Sequence, residues 1–141
     1  MKHLKSRILL LISGSMLVFI GSMVLLNPLP FFAGNGVTLS SEPNLLSEIR
    51  APGGLLTGTG LMVLLGAFRA GLRIPALALS TLVYGAYGSS RIFSLIVDGF
   101  PGSSLLGAAA IEMMFAGLCF ITWMNLRPAG VVSPNQCGTP Y

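Results

Sequence analysis

The feature that most constrains this chain is a run of nineteen residues, from Ile8 to Leu26, that holds no charged side chain. A helix rises about 1.5 Å per residue, so this run is about 28 Å long and matches the roughly 30 Å hydrocarbon core of a bilayer. Only 9% of the 141 residues are charged, whereas about a quarter are charged in soluble domains. The polar residues are too few to cover a water-facing surface, so we expect one domain embedded in a membrane.

The same run follows Lys2, Lys5 and Arg7, which is also the arrangement of a secretory signal peptide. The run is longer than the roughly 7–15 apolar residues of such peptides, and no A-x-A-like cleavage site follows it. The sequence Asn27-Pro28-Leu29-Pro30 is typical of a helix end. We therefore expect a retained transmembrane helix.

Turn residues divide the rest of the chain into further helices. Residues 27–46 are rich in Asn, Gly, Pro and Ser and predict a loop. Ser47 is expected as the N-cap of the second helix, with Pro52 in its first turn. The predicted fold class is all-α, an integral membrane four-helix bundle in residues 1–128, with helices over 8–26, 47–70, 74–97 and 103–126 and a tail over 129–141.

The basic residues predict an orientation for these helices. Six of the seven bases outside the apolar segments fall on one side, and Arg50 falls on the other with Glu42, Glu48 and Asp98. By the positive-inside rule, both termini are predicted in the cytoplasm, in a multi-pass protein of the bacterial inner membrane. The six bases on the cytoplasmic side are Lys2, Lys5, Arg7, Arg69, Arg73 and Arg127.

Several function classes lack support in the sequence. The bases form no patch with interleaved aromatic residues, so nucleic acid is not an expected partner. Cys119 and Cys137 belong to no C-x-x-C or His/Cys cluster, and His3 lies in the basic N-terminal segment, so neither a metal site nor a cofactor is predicted. No catalytic motif is present and no catalytic residue is assigned. A lipid-modifying enzyme with Glu112 or Asp98 as acid or base is the weaker alternative.

Two charges, Arg91 and Glu112, fall inside the predicted helices. Each costs about 2.5–3.5 kcal/mol at the centre of a bilayer, and such residues usually pair with one another. If the last two helices are antiparallel about the turn at Asp98, Arg91 lies about 10 Å and Glu112 about 13 Å from the same surface. We therefore predict an ion pair between them.

Further polar side chains are expected at this level, on one face of the third helix and at the start of the second. Two interpretations stay open. One is an ion-pair network that orders the helices, and the other is an outer vestibule that binds an anionic or polar-headed ligand, such as a lipid head group or a quinone-like molecule. The candidate ligand-binding residues are Arg50, Tyr84, Tyr87, Arg91, Asp98 and Glu112.

Glycine supplies 18 residues, and Gly54 with Gly58 has the small-x-x-x-small spacing that permits close helix approach. This spacing indicates tight packing inside one bundle or, alternatively, a ligand groove or dimer face. Further small surfaces are expected at Gly60, Gly66, Gly85, Gly88, Gly107 and Gly117.

Three features carry a resemblance to a known family: "EIRAPGG" from Glu48 to Gly54, "RIFSLIVDGFP" from Arg91 to Pro101, and Glu112 in the last helix. Over about residues 8–127 the chain resembles small bacterial membrane proteins grouped as domain-of-unknown-function family 4345. More distantly, its architecture is similar to the DoxX-like four-helix membrane proteins. The resemblance implies four transmembrane helices and supplies no activity.

The function expected from these features is the binding of a lipid or small amphipathic ligand in the outer half of the bundle. Arg91 would attract the anionic or carbonyl group of that ligand, with Glu112 and Asp98 holding the arginine. The alternative is an accessory or structural subunit of a larger membrane complex. The expected partners are the bilayer, a bound lipid or quinone-like ligand, and another membrane protein or a second copy of the chain.

Overall fold

The computed structural model describes residues 2–127, which form five α-helices and one 3-10 turn and contain no strand. The all-α expectation is therefore confirmed for this part of the chain. The tail predicted over 129–141, with Cys137, lies outside the described residues. In chain order the helices are α1 (Lys2–Leu26), α2 (Pro28–Gly34), α3 (Pro43–Phe68), α4 (Arg73–Val97) and α5 (Ser103–Leu126), and the 3-10 turn is Ala70–Leu72.

Three segments among these helices are long and apolar enough to cross a membrane: His3–Leu26, Pro43–Phe68 and Ser103–Leu126. They correspond to α1, α3 and α5. Helix α4 has 25 residues but is not among them. Two tyrosines, several serines and Arg91 interrupt its apolar residues and lower its hydropathy.

Helix α2 lies in the segment that the sequence predicts as a loop, so the loop prediction for 27–46 is wrong in part. Pro28 occupies the first helical turn, where its fixed φ favours a helix and its missing N–H costs nothing. The backbone N–H of Phe31 donates to the carbonyl of Asn27. The helix ends at Gly34 with Asn35 as its C-cap, and Gly36 follows with φ of +79°, a left-handed conformation that glycine adopts readily.

Helix α3 begins earlier than the sequence predicts. Pro43 stands in its first turn, and the backbone N–H of Leu46 donates to the carbonyl of Glu42 at 3.0 Å. The N-cap predicted at Ser47 and the first-turn position predicted for Pro52 are therefore wrong, because both residues lie inside α3. Pro52 lacks an N–H, so the carbonyl four residues before it has no helical donor.

Glycines allow α1 and α3 to pack backbone against backbone. A Cβ atom on Gly21 would lie 2.5 Å from the backbone N of Thr57, and one on Gly53 would lie 2.7 Å from a backbone N of α1. Gly60, two turns after Gly53, continues this contact. Of the two interpretations of Gly54 and Gly58, tight packing inside the bundle is wrong, because no atom outside the neighbouring backbone of α3 lies within 4 Å of a Cβ built at either position.

The core lies between this helix pair and a second antiparallel pair, α4 and α5. The two pairs meet mainly through α3 and α4, while α3 and α5 make no direct backbone contact in the described part of the chain. The ring of Tyr84 stacks on Phe115, with centroids 5.1 Å apart. Fully buried side chains include Leu10, Val63, Leu77 and Cys119.

The fold has two chemically different ends. At one end, the backbone carbonyl of Ala67 accepts a hydrogen bond from Arg7 Nε at 3.2 Å, so the start of α1 lies beside the end of α3. We call it the basic end, since it holds Lys2, Lys5, Arg7, Arg69, Arg73 and Arg127. The opposite end, called the α2 end, holds α2, the starts of α3 and α5, and the end of α4.

Candidate functional site

A cavity of about 580 Å³ lies at the α2 end, and all five helices contribute to its wall. Most of the lining is apolar, including Leu17 and Val24 of α1, Leu56 of α3 and Leu105 of α5. Such a cavity forms because α3 and α5 do not meet, so side chains rather than backbones surround the space between the pairs. The polar residues of the lining are Asn35, Glu48, Tyr84, Tyr87, Arg91 and Glu112.

An ion pair between α4 and α5 lines this cavity. Arg91 Nε lies 2.9 Å from Glu112 Oε2 and 3.1 Å from Glu112 Oε1. The Arg91 side chain is 34% exposed and that of Glu112 is 13% exposed, so the carboxylate is the more deeply held partner. Both contacts involve Nε, and the two Nη groups of Arg91 make no hydrogen bond with another described residue. These groups remain able to donate to a bound molecule.

Glycine brings the two helices close enough for this pair. Gly88 lies nearly one turn before Arg91, and Met113 directly follows Glu112 in the chain. A Cβ atom on Gly88 would lie 2.7 Å from Met113 Sδ and 3.4 Å from the backbone N of Met113, so the two helices approach closely at this point. The small residue at position 88 therefore helps to hold the guanidinium and the carboxylate within hydrogen-bond distance.

The two candidate tyrosines both line the cavity but differ in their surroundings. Tyr84 is 3% exposed, and its hydroxyl donates to the carbonyl of Ser13 at 2.8 Å. That hydrogen bond ties α4 to α1 and uses the donor of the hydroxyl. Tyr87 is half-buried, and its hydroxyl makes no hydrogen bond with the described residues. Of the two, Tyr87 is the better placed to offer a hydrogen bond to a ligand.

The remaining two candidates lie outside the cavity lining. Arg50 is exposed on α3. Asp98 is exposed at the end of α4, where Ser94 Oγ donates to its Oδ2 at 2.8 Å. The structure thus brings together Tyr84, Tyr87, Arg91 and Glu112 but not Arg50 or Asp98, whose ligand-binding roles stay predictions.

The sequence does not assign the residues of α2 to the site, although they form one wall of the cavity. Phe31 and Phe32 line it, with ring centroids 5.6 Å apart in an edge-to-face arrangement. Asn35 donates through Nδ2 to the carbonyl of Phe31 at 2.9 Å, and its Oδ1 accepts a hydrogen bond from Ser104 Oγ at 2.9 Å. A proline directly after Asn27 is the sequence signal that could have indicated this helix.

The cavity combines a mostly apolar wall with a few polar side chains. Among these, the Nη groups of Arg91 supply hydrogen-bond donors at one position in the lining. Its described lining contains no Ser, Thr, Cys, His or Lys side chain, so the usual nucleophiles and the usual general base are absent there. Within residues 2–127, no group of three or more His, Cys, Asp or Glu could hold a metal ion.

Comparison with known proteins places the chain in a family. Residues 6–123 match the model of Domain of unknown function (DUF4345), which is most of the chain. The chain therefore belongs to this family, as its three characteristic features imply. No curated protein and no solved structure matches the chain significantly.

Proposed function

We propose that this protein spans the bacterial inner membrane four times and binds a lipid or another small amphipathic molecule in the cavity at the α2 end. The observation that carries the binding proposal is the cavity itself, which is apolar over most of its wall and holds one ion pair with unused donors. Pockets that combine apolar walls with a few placed polar groups are typical ligand sites.

The proposal requires α4 to cross the membrane with the three more apolar helices. Three of its polar side chains favour this: Ser80 and Tyr84 are buried, and Arg91 is paired with Glu112. Polar groups of spanning helices usually face the bundle interior. The outward face of α4 carries large apolar side chains, with Leu82, Phe93, Ile96 and Val97 each more than 60% exposed, and it also carries Ser89 and Ser90.

The orientation we propose has both termini in the cytoplasm. The basic end holds six Lys and Arg residues and no Asp or Glu, which is the bias expected of a cytoplasmic side. The cavity then lies in the outer half of the bilayer. Single cysteines introduced at Gly36 and Gly71, on a Cys119→Ala, Cys137→Ala background, test this in intact cells. An impermeant maleimide should label the cysteine at position 36 and not the one at 71, and the reverse pattern would contradict the orientation.

The charges of the lining narrow the ligand class within this proposal. The cavity is lined by two carboxylates, Glu48 and Glu112, and by one guanidinium, Arg91, which is paired with Glu112. A ligand with its own negative charge would meet an excess of like charge, whereas a neutral carbonyl or hydroxyl could accept from the Nη groups. We therefore propose a neutral amphipath, such as a quinone or a monoacylglycerol, rather than a fatty acid anion.

Thermal unfolding of the purified protein in a neutral detergent tests this proposal, with decylubiquinone, monooleoylglycerol and oleate as probes. We expect at least one neutral probe to raise the unfolding temperature in a concentration-dependent way, because a ligand that binds only the folded state stabilises it. Oleate should act more weakly. Failure of both neutral probes to stabilise the protein would contradict the neutral-ligand assignment.

A matched pair of variants locates the effect. Ala108 lines the cavity, and Ala110 on the same helix is exposed and does not. Ala108→Trp should abolish the stabilisation by filling the space, and Ala110→Trp should leave it unchanged. Equal responses from the two variants would place the probe elsewhere on the protein.

A second function is favoured by the outer face of α3, where Gly54 and Gly58 face open space beside exposed Leu55 and Leu61. Small residues at this spacing allow a helix of another chain to approach closely. The protein would then be a subunit of a membrane complex or a homodimer. Light scattering of the detergent-solubilised protein distinguishes these cases: Gly58→Leu should dissociate an assembly formed through this face and leave a monomer unaffected.

A further inference from the structure

The basic end of the fold gathers cations without a matching negative charge. The four carboxylates of the sequence are Glu42, Glu48, Asp98 and Glu112, and each lies at the α2 end or in the α4–α5 ion pair. The basic end holds six Lys and Arg residues together with His3. Cations that share one surface repel each other, so this arrangement favours an anion from outside the described chain.

Arg73 is the centre of this arrangement. It begins α4, and its Nη1 donates to His3 Nδ1 at 3.1 Å. Its Nε is buried and has no hydrogen-bond partner among the described residues. A buried donor without an acceptor is costly, and in a native protein it often indicates an ion or water that completes the site.

Arg7 holds a second guanidinium beside the same segment. His3 and Arg7 are four residues apart on α1, so they share one face of that helix. While His3 contacts Arg73, Arg7 Nε donates to the carbonyl of Ala67 at the end of α3. Arg7 thus contacts the end of α3 and Arg73 begins α4, and neither arginine forms an ion pair with a carboxylate of the described residues.

The surface around this cluster is apolar rather than polar. Leu4 is 61% exposed, Ile8 is 48% exposed and Phe68 is 68% exposed, and each directly precedes or follows a basic residue in the chain. An acyl chain can pack against such a surface, whereas a free inorganic anion gains nothing from contact with it. The combination of a cationic centre with an apolar border matches the two parts of an anionic phospholipid.

We propose that Arg7 and Arg73 bind the phosphate of an anionic phospholipid, with its acyl chains against Leu4, Ile8 and Phe68. This site is separate from the cavity at the α2 end and does not depend on it. The basic residues of this end would then bind one lipid specifically, in addition to their effect on the orientation of the protein in the membrane.

Native mass spectrometry of the full chain in a neutral detergent tests the proposal. The protein is titrated with dioleoylphosphatidylglycerol and, in parallel, with dioleoylphosphatidylcholine, which has the same acyl chains and no net charge. We expect the first to bind at least about fivefold more tightly, since each phosphate-facing base contributes an effect of that order. Equal affinities for the two lipids would overturn the proposal.

Three variants locate the site. Arg73→Gln should lower the preference about fivefold, which is the contribution of one base, and Arg7→Gln should lower it in the same direction. Arg7→Gln also keeps the test valid if Arg73→Gln fails to fold. Arg69→Gln removes an exposed base at the same end that lies outside the proposed site, and it should change the preference less than Arg73→Gln does. An equal loss in Arg69→Gln would show a diffuse charge effect and contradict the site.

Competition with inorganic phosphate distinguishes a phospholipid head group from a free phosphate as the bound anion. Millimolar phosphate should not displace dioleoylphosphatidylglycerol from the wild-type protein, because phosphate lacks the acyl chains that contact the apolar border. Displacement by phosphate alone would show that the cluster recognises a free phosphoryl group, which contradicts the lipid assignment.

Discussion

The two helix pairs of this fold are held together by different means. Between α1 and α3, glycines place the two backbones in contact, and a Cβ atom at Gly21 or Gly53 would collide with the partner helix. Between α4 and α5, Gly88 permits close approach at one point, and side-chain contacts join the helices elsewhere, among them the Arg91–Glu112 ion pair and the stack of Tyr84 on Phe115. The first interface depends mainly on the absence of side chains, and the second depends also on contacts between them.

This difference explains where the cavity lies. Backbones in direct contact leave no space for ligands between them, and of the lining residues that α1 and α3 contribute, only Glu48 is polar. Helix α4 contacts α3 whereas α5 does not, and this leaves space between the two pairs at the α2 end. Most polar groups of the cavity come from α4 and α5, namely Tyr84, Tyr87, Arg91 and Glu112. The α4–α5 pair therefore supplies most of the polar chemistry of the site.

The largest expected effect concerns the glycine interface. Gly21→Leu places a side chain where a Cβ atom alone would lie 2.5 Å from a backbone nitrogen of α3. Overpacking usually costs about 1–3 kcal/mol, and here the obstacle is a backbone that cannot move aside, so we expect about 3 kcal/mol or more. Thermal unfolding in detergent, followed by circular dichroism, measures the loss.

Gly58→Leu is the matched control for this variant. It also replaces a helical glycine, but the space around Gly58 is open. The change should be neutral or stabilise the monomer by about 0.5–1 kcal/mol, because leucine favours helices more than glycine does. Similar losses for the two variants would show that the closeness of the backbones does not decide the stability of this pair.

The next largest effect is expected from the Arg91–Glu112 ion pair, which joins α4 to α5 through side chains. Arg91→Ala or Glu112→Ala leaves one charge in the bundle without a partner, and we expect each to cost about 2–4 kcal/mol. The Arg91→Ala, Glu112→Ala double variant removes both charges and should cost less than the sum of the two single changes by about 1–2 kcal/mol. Denaturant titration of the four proteins completes the cycle, and additive losses would contradict an energetic coupling.

Much of the helical layout follows from the sequence because it depends on local patterns. Long apolar runs separated by Pro, Gly and Asp predict helices, and no strand is found in the described part. The common level of Arg91 and Glu112 follows from counting residues away from their shared turn, and in the structure their side chains meet. Both inferences require only the rise of a helix and the sequence distance to a turn.

Other features could not be predicted because they depend on rotation of a helix about its axis. Gly53 and Gly54 are neighbours with identical local patterns, yet only Gly53 contacts α1. Starting α3 at Pro43 instead of Ser47 also moves Pro52 from a first turn into the helix interior. Asp98 shares a helical stripe with Arg91 but lies at the end of α4, where it accepts a hydrogen bond from Ser94 instead of lining the cavity.

A smaller effect is expected from the hydrogen bond that joins the two pairs. Tyr84→Phe removes the bond from the hydroxyl to the carbonyl of Ser13 while keeping the ring that stacks on Phe115. Hydrogen bonds between membrane helices contribute about 0.6 kcal/mol on average, so we expect a loss of about 0.5–1 kcal/mol. Tyr87→Phe, which removes a hydroxyl without a described partner, should change thermal unfolding less. A larger loss from Tyr87→Phe would point to a partner for that hydroxyl beyond the described residues.

The smallest effect on global stability is expected from the link between α2 and α5. Asn35→Ala removes the hydrogen bond from Ser104 to Asn35 and the bond from Asn35 to the carbonyl of Phe31. Helix α2 has seven residues and contributes little to the core, so the unfolding temperature should hardly change. Local opening should increase instead, and hydrogen exchange of the amides in 31–37 should accelerate about twofold to fivefold.

Two further variants serve as controls for this prediction. Ser104→Ala should produce part of the change, and Asn44→Ala, which replaces an exposed asparagine at the start of α3, should produce none. Unchanged exchange in Asn35→Ala would show that α2 is held over the cavity by the aromatic contacts of Phe31 and Phe32 rather than by its link to α5.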